Sequence, residues 1–342
     1  MRTLESNGTG AGWDYAQDVF VSDAGFTYFT GDFGGQATLG DTTISCPTSN
    51  CAFVARYGPD GSFDWARNTI SAGSASSVGG EVVDNGVGVI AMASEFLGTI
   101  QSNPPVTSVG NRDVYIRAYD EQGTESWQQH IGGPGEESLF GMETDQQGNI
   151  YALVRFEGEI TVGSDTYTIL DPADFHPGFV LVKFDGAGNL IWSRGLYETI
   201  PGPAGAGTSV SDLSSDANDR LRIAGSLSGP SLLIDTLYTN PDTSYMFSLS
   251  VRPDGGLESL QISPLSSRIL IWDYVADAQG NDYFIFFFSL FGADPFEVEG
   301  LDLGNGSQFA LARRDASGNW NWAQGGLPSI RDLELGADQF LF

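Results

Sequence analysis

Positive charge is scarce in this sequence. Of 342 residues, 44 are Asp or Glu and only 15 are Lys or Arg, a formal net charge of −29. Lys183 is the one lysine. A surface of that sign repels phosphate backbones and anionic headgroups, which argues against nucleic acid and membrane insertion as modes of action. Long hydrophobic runs are also missing. The longest, residues 283–288, is far too short to span a bilayer. Residues 1–12 have no apolar core, so no signal peptide is expected there. Histidine is limited to His130, at the end of WQQH before IGGPG, and His176, in DPADFHPGF. Neither adjoins a G-x-S-x-G elbow, and two are too few for a centre built from several His ligands. Helical periodicity is absent throughout. Glycine is plentiful instead, at 45 residues, and aromatics make up 12%. That pairing suits a turn-rich chain with a real core rather than a disordered one.

The arrangement of these residues is repetitive. An Asp closing an apolar strand and opening a turn recurs at Asp23, Asp84, Asp145, Asp216, Asp277 and Asp338, at intervals of 61, 61, 71, 61 and 61 residues. After each turn comes an alternating strand, such as TYFTGDF, VIAMASEF or YALVRFEG. A variable stretch follows, holding a short strand such as ATLGDTTI or ITVGSDTYTI. A third strand comes next (AFVARY, VYIRAY, FVLVKF, MFSLSV, FALARR) and then a Gly turn. The last strand carries Trp65, Trp127, Trp192 and Trp322, with Leu260 in that place in the fourth unit. Period-2 strands between Gly, Asp and Asn turns predict an all-β protein. About four strands per unit of about 61 residues predicts a β-propeller rather than a β-helix, whose coils are much shorter.

The expected architecture is a single domain over 1–342. Five complete blades fall at about 19–70, 78–133, 139–196, 209–263 and 271–326, and residues 327–342 share a partial sixth blade with residues 1–12. The four tryptophans are expected in the core between blades. The missing third strand of the sixth blade leaves an edge open to a partner or to self-assembly.

The pattern D-x-x-G-N-x-Y-x-x-G-x-F, followed by F-V-x-[RK]-[YF] and G-x-x-x-W, resembles the repeat of the seven-bladed-propeller-type (SBBP) family of bacterial secreted and cell-surface proteins. The segments DAGFTYFTGDF with FVARYGPDGSFDWA, and DQQGNIYALVRF with VLVKFDGAGNLIW, carry the resemblance, which runs from about Asp14 to Phe342. It implies a propeller fold and a surface or secreted habitat, and it brings no catalytic signature. The fourth unit departs from the pattern, with Arg220 where Tyr is expected, Leu260 for Trp and ten extra residues.

Few residues are candidates for chemistry. Cys46 and Cys51, the only cysteines, predict a disulfide closing a tight loop; two free thiols or half of a metal site are the alternatives. The recurring Asp residues predict Asx-turns, with calcium as the alternative because each turn offers one or two carboxylates. No cofactor is expected otherwise. Arg56, Arg117, Lys183 and Arg313 recur in the third strand. They predict a repeated structural contact of the cation with the Trp and an acidic neighbour, or else a basic ring for an anion. No spacing picks out a carboxylate pair for glycoside hydrolysis. The functional expectation is a non-enzymatic extracellular or cell-surface module that binds a protein or glycan or builds an assembly. A carbohydrate-active hydrolase or lyase on the same fold is the alternative.

Overall fold

The structure, a computed structural model, describes residues 5–6, 14–40, 42–70, 76–169, 177–199, 207–228, 231–233, 236–238, 244–265, 269–288, 297–303, 309–327 and 333. Among these, every regular element is a strand. The chain falls into two compact units, Met1–Thr168 with Phe179–Ser193, and Ile169–Gly178 with Arg194–Phe342.

In the first unit, each sheet is built on a four-stranded antiparallel meander whose neighbours in sequence are neighbours in space. The first sheet runs Tyr15–Val21, Thr27–Leu39, Thr42–Tyr57 and Phe63–Thr69. The second runs Ser76–Asp84, Ile90–Leu97, Asp113–Tyr119 and Glu125–Ile131. The third begins with Glu137–Thr144, Ile150–Phe156 and Gly178–Phe184, followed by Leu190–Thr199, whose first four residues lie in this unit. Between second and third strands sit short hairpins, Thr99–Ile100 with Val106–Thr107 and Glu159–Val162 with Asp165–Thr168. In the first sheet the same insertion prolongs the two middle strands themselves.

Strand pattern follows burial. Every residue of Gly178–Phe184 is buried, as is nearly all of Asp113–Tyr119, so both faces of a middle strand are covered. The edge strand Tyr15–Val21 is mostly exposed. The sheets of this unit stack face to face. Tyr28, Val54 and Trp65 of the first pack against Val82, Ile90, Met92 and Tyr119 of the second in one apolar cluster. Each such side chain gains about 1.5–3 kcal/mol by burial.

In the second unit, the fourth sheet runs Gly207–Ser215, Leu221–Ser228, Ser244–Val251 and Leu257–Leu265. The fifth runs Ile269–Ala276, Asp282–Phe288, Phe309–Arg314 and Trp320–Leu327. Ala224 and Met246 of the fourth sheet pack on Tyr274, Phe284, Phe286 and Ala310 of the fifth. Tyr197–Thr199 pairs with Ser231–Leu233.

Two expectations change here. Of residues 1–12, Glu5–Ser6 are described, and they pair with Thr38 and Ala37 of the first sheet rather than extending a sixth. The reason is local. The first strand pairs with residues 27–32 only, so the prolonged end of Thr27–Leu39 has a free edge that Glu5–Ser6 fills. Most of 327–342, including Asp338, lies outside the described residues; Leu333 is buried beside Tyr283, Ile285 and Phe309.

The turn residue also differs. In the turn after each first strand, one residue's N–H donates to the carbonyl four residues on and clamps the loop. Those residues are Ser22, Asn85, Asp145, Asp216 and Asp277. Asp23 therefore lies one position after the clamp, exposed, and Asp84 one before it. The clamp needs only a short side-chain oxygen that accepts from the N–H four residues on, and Ser, Asn and Asp all supply one. Asn85 Oδ1 accepts from Val87 and Val89 N–H, and Asp145 Oδ1 from Gln147 and Asn149 N–H.

Candidate functional site

Sheet joins to sheet by side chains that repeat. At the fourth strand of the first sheet, Trp65 Nε1 donates to Glu121 O of the second sheet's Gly turn at 3.0 Å. Trp127 Nε1 donates likewise to Gly186 O at 3.1 Å, and Gln129 Nε2 to Gly188 O at 2.8 Å. In the second unit, Arg194 Nη1 donates to Gly255 O at 2.8 Å. These turns need glycine twice over. Gly123 and Gly188 have φ of +73° and +83°, and a Cβ there would sit 2.7 and 2.6 Å from the rings of Trp65 and Trp127. At the other edge, each first strand carries a bulge. Beside it, Asp18 Oδ2 accepts from Val82 N–H at 2.9 Å and Glu81 Oε2 from Met142 N–H at 2.5 Å.

Trp65 is buried, and Trp127 and Trp192 are half-buried, Trp192 meeting Tyr151 edge to face. Trp322 differs from its expected place in the core. It is 37% exposed, and Trp320 packs on Phe284 and Phe286 in its stead. The ladder of the last two strands bulges between Arg313 and Arg314, as its counterparts do between Arg56 and Tyr57 and between Ala118 and Tyr119, so Trp322 keeps the register of Trp65 and Trp127. Opposite Trp65, Trp127 and Trp322 stand Arg56, Ala118 and Arg313. Arg117 is therefore one residue off that column and points to the other face, bound to Glu125 and to Asn68 O. Ser259, rather than Leu260, occupies the fourth-sheet place, opposite Ser250. The column's cations stack on aromatics of the second strand or the turn before it. Arg56 lies 3.7 Å over Phe26, and Lys183 lies 4.8 Å over Tyr151 and 3.0 Å from Asp145. Cys46 and Cys51 are joined in a disulfide within the prolonged strand Thr42–Tyr57 of the first sheet.

In the second unit, a buried network joins the fourth and fifth sheets. Asp282 receives Arg222 Nη2 and Tyr274 Oη at 2.7 Å on Oδ1, and Arg314 Nη2 at 2.7 Å on Oδ2. Burial, and then the Asp282 charge, push the Tyr274 phenol well above its ordinary range. Asp282 gives one carboxylate oxygen to each arginine, so the network reads as packing.

The grouping that is not fully matched lies in the first unit, where the second sheet hands over to the third. Asp113 opens a third strand, His130 stands near the end of the fourth, and Glu137 opens the next sheet. His130 Nε2 lies 2.5 Å from Asp113 Oδ2, which also accepts from Val109 N–H at 2.8 Å. Glu137 Oε2 accepts from Gly133 N–H at 2.8 Å. Asp113 and Glu137 are both fully buried, and Asp113 Oδ1 and Glu137 Oε1 have no hydrogen-bond partner. The GGPG turn makes this possible. A Cβ on Gly132 would collide with Asp113 Oδ2, and one on Gly133 would approach Glu137 Oε1 to 3.3 Å. Two backbone bonds, Asn111 N–H to Gly135 O and Glu137 N–H to Arg112 O, close the turn over the carboxyls.

Burial pushes the Glu137 carboxyl up to about 8; the Gly133 N–H opposes this, and the neighbouring Asp113 adds to it. Glu137 is therefore a neutral acid at pH 7, able to donate to its neighbour. Only His130 reaches solvent, with a side chain 26% exposed, set edge to face on Phe96 at 5.5 Å. The arrangement can hold and pass a proton. Its carboxyls cannot touch a substrate. The sequence reading named His130 and IGGPG but passed over both acids. The signal was an acid at each strand start, in NRDVYI and GEES, on either side of a glycine-rich turn. His176 lies outside the described residues.

No family model matches the chain, and no curated protein does. Among solved structures, it is similar to a protein of unknown function from Bacteroides caccae (10% identity, TM-score 0.30, 89% of this chain and 97% of that one). It is also similar to the β-propeller domain of the trilobed protease from Pyrococcus furiosus (6%, 0.34, 90% and 91%). A third likeness is to a puromycin hydrolase mutant in complex with PGG (12%, 0.45, 99% and 42%). At these TM-scores the likenesses carry no argument about this chain.

Proposed function

We propose that the chain is a β-propeller of the SBBP repeat type, serving at the cell surface or in the extracellular space as a non-enzymatic module for binding a protein or glycan or for assembly. The observation that carries this reading is what the recurring polar side chains do. The turn acids accept their own loop's N–H groups, and the tryptophans and strand-edge acids tie one sheet to the next. A chain whose repeated chemistry serves its own construction is a scaffold, and a scaffold presents surfaces. The Cys46–Cys51 disulfide fits an oxidising compartment. Among the described residues, no helix is long and apolar enough to cross a membrane.

The test is a panel of neutral and acidic polysaccharides, assayed in parallel for retention on immobilised protein and for release of new reducing ends. The reading expects no turnover. Release of new reducing ends or unsaturated products by the purified wild type would overturn it in favour of a carbohydrate-active hydrolase or lyase. Protease treatment of intact source cells addresses location: cleavage of the protein in whole cells is expected, and protection until lysis would contradict a surface habitat.

A further inference from the structure

Asp113 and Glu137 confront each other across the junction of the second and third sheets with one unpartnered oxygen apiece, in a place sealed from water. Two bare carboxylates cannot remain so: each would lack an acceptor's partner, and their charges would repel in a medium of low dielectric. One proton between the two oxygens satisfies both at once, turning an orphan pair into an O–H···O⁻ bond of the strong, charge-assisted kind.

We infer that Asp113 and Glu137 hold a single proton between them and that this shared proton latches residues 109–113 of the second sheet to the GGPG entry of the third, with His130 as its outlet to solvent. The inference is independent of what the module binds.

The surrounding charges offer no substitute for the proton. Arg112, next in sequence to Asp113, is directed to Glu95 at 3.4 Å, and Glu95 Oε1 accepts from Leu139 N–H at 3.2 Å. Glu157 faces the pair from the third sheet and adds negative charge, its own partner being Arg155 at 2.8 Å. Glu136 Oε2 accepts from Asn111 Nδ2 at 3.1 Å. Glu159 presents its backbone carbonyl to Gly133. When the O–H bond breaks, the proton leaves by way of His130 to hydroxide in the solvent, and two buried carboxylates remain with His130 on Asp113 and no Lys or Arg among the described residues paired with either. The contacts that then give way are the ones closing the turn, Asn111 N–H to Gly135 O and Glu137 N–H to Arg112 O.

The direction of the pH dependence follows. Burial raises Glu137 from 4.5 in the unfolded chain to about 8 in the folded one, so between those values the folded state holds more protons. Stability from the latch is complete below the unfolded value and is lost as pH rises through the folded one.

The experiment compares thermal midpoints of the wild type and Glu137→Gln from about pH 5 to about pH 9, with and without EDTA. The glutamine amide can donate to Asp113 as the shared proton does, and it does not titrate. The wild-type midpoint is expected to fall from about pH 5 to about pH 8, and the variant's curve to be flatter, so that the two diverge over that window and run parallel above it. Should Glu137→Gln not fold, Asp113→Asn serves the same comparison. The infrared carbonyl band of a protonated carboxylic acid in the wild type, lost on raising the pH, gives an answer free of any variant. Parallel pH curves, or no such band at neutral pH, overturn the inference. So does a midpoint that EDTA lowers and a divalent cation restores at constant pH, because the pair would then be bridged by metal.

Discussion

Replacing Gly123 by alanine tests the way sheets are joined. The residue has φ +73°, and its added Cβ would stand 2.7 Å from Cδ2 and 2.9 Å from Cγ of Trp65, and 3.1 Å from Nη2 of Arg67. Ordinary carbon contacts are about 3.5–4.0 Å, so the indole would have to retreat by roughly 1 Å. It has nowhere to go. Trp65 is 7% exposed, donates to Glu121 O at 3.0 Å and leans on Tyr119 with ring centroids 5.8 Å apart. The left-handed backbone costs an alanine about 1–2 kcal/mol, and the overpacking adds about 1–3 kcal/mol. Gly86 supplies the control, since its φ is +70° and nothing lies within 4 Å of its would-be Cβ. Gly86→Ala should show only the backbone share. Urea unfolding followed by tryptophan fluorescence measures both, and Gly123→Ala should be worse by about 1–3 kcal/mol. Adding Trp65→Leu to Gly123→Ala should recover part of that difference, as a coupling of about 0.5–3 kcal/mol. Equal losses for the two alanines, or strict additivity in the double variant, would refute the proposed joint.

Three further outcomes are expected. Asp282→Asn should destabilise by about 3–5 kcal/mol, because Arg222 and Arg314 stay buried with their shared partner's charge gone, whereas Asp254→Asn, at an exposed turn, should leave stability nearly unchanged. A common small effect would mean that the network is wet. Reducing the Cys46–Cys51 bridge, whose sequence separation is 5, should cost about 2 kcal/mol, the loop-closure share for so short a ring, and leave the transition cooperative; loss of the folded state on adding reductant would contradict this. With a net charge of −29, the thermal midpoint should rise between low salt and about 0.5 M NaCl as self-repulsion is screened, and a flat or falling series would count against it.

The repeat was legible because it is written in strand alternation and glycine turns, which local chemistry dictates. Five sheets, each built on a four-stranded antiparallel meander, follow from it directly among the described residues. Register within the repeat was less legible. Counting Asp made the first intervals equal, but the turn clamp accepts any short side-chain oxygen, so Ser22 and Asn85 take the role and the true intervals there are unequal. In the same way Arg117 and Leu260 resemble their columns in residue type but sit one position off them, because a strand's face alternates with every residue. Trp322 keeps the register of Trp65 and Trp127 and differs from them in exposure, which composition does not reveal. The acid pair was hidden for a different reason. Asp113 and Glu137 lie 24 residues apart, and only the fold of the GGPG turn brings them together and strips them of water. Burial of that kind is a tertiary property, and it is what turns two ordinary acids into one proton-holding group.

The most direct measurement of that claim is the carboxyl carbon resonance of Glu137, assigned by its loss in Glu137→Gln and followed by carbon-13 NMR through the pH range. The account predicts a protonated carboxyl at neutral pH that titrates with a midpoint near 8. A resonance already that of a free carboxylate at neutral pH, titrating near the ordinary 4.5 of a solvated glutamate, would contradict it.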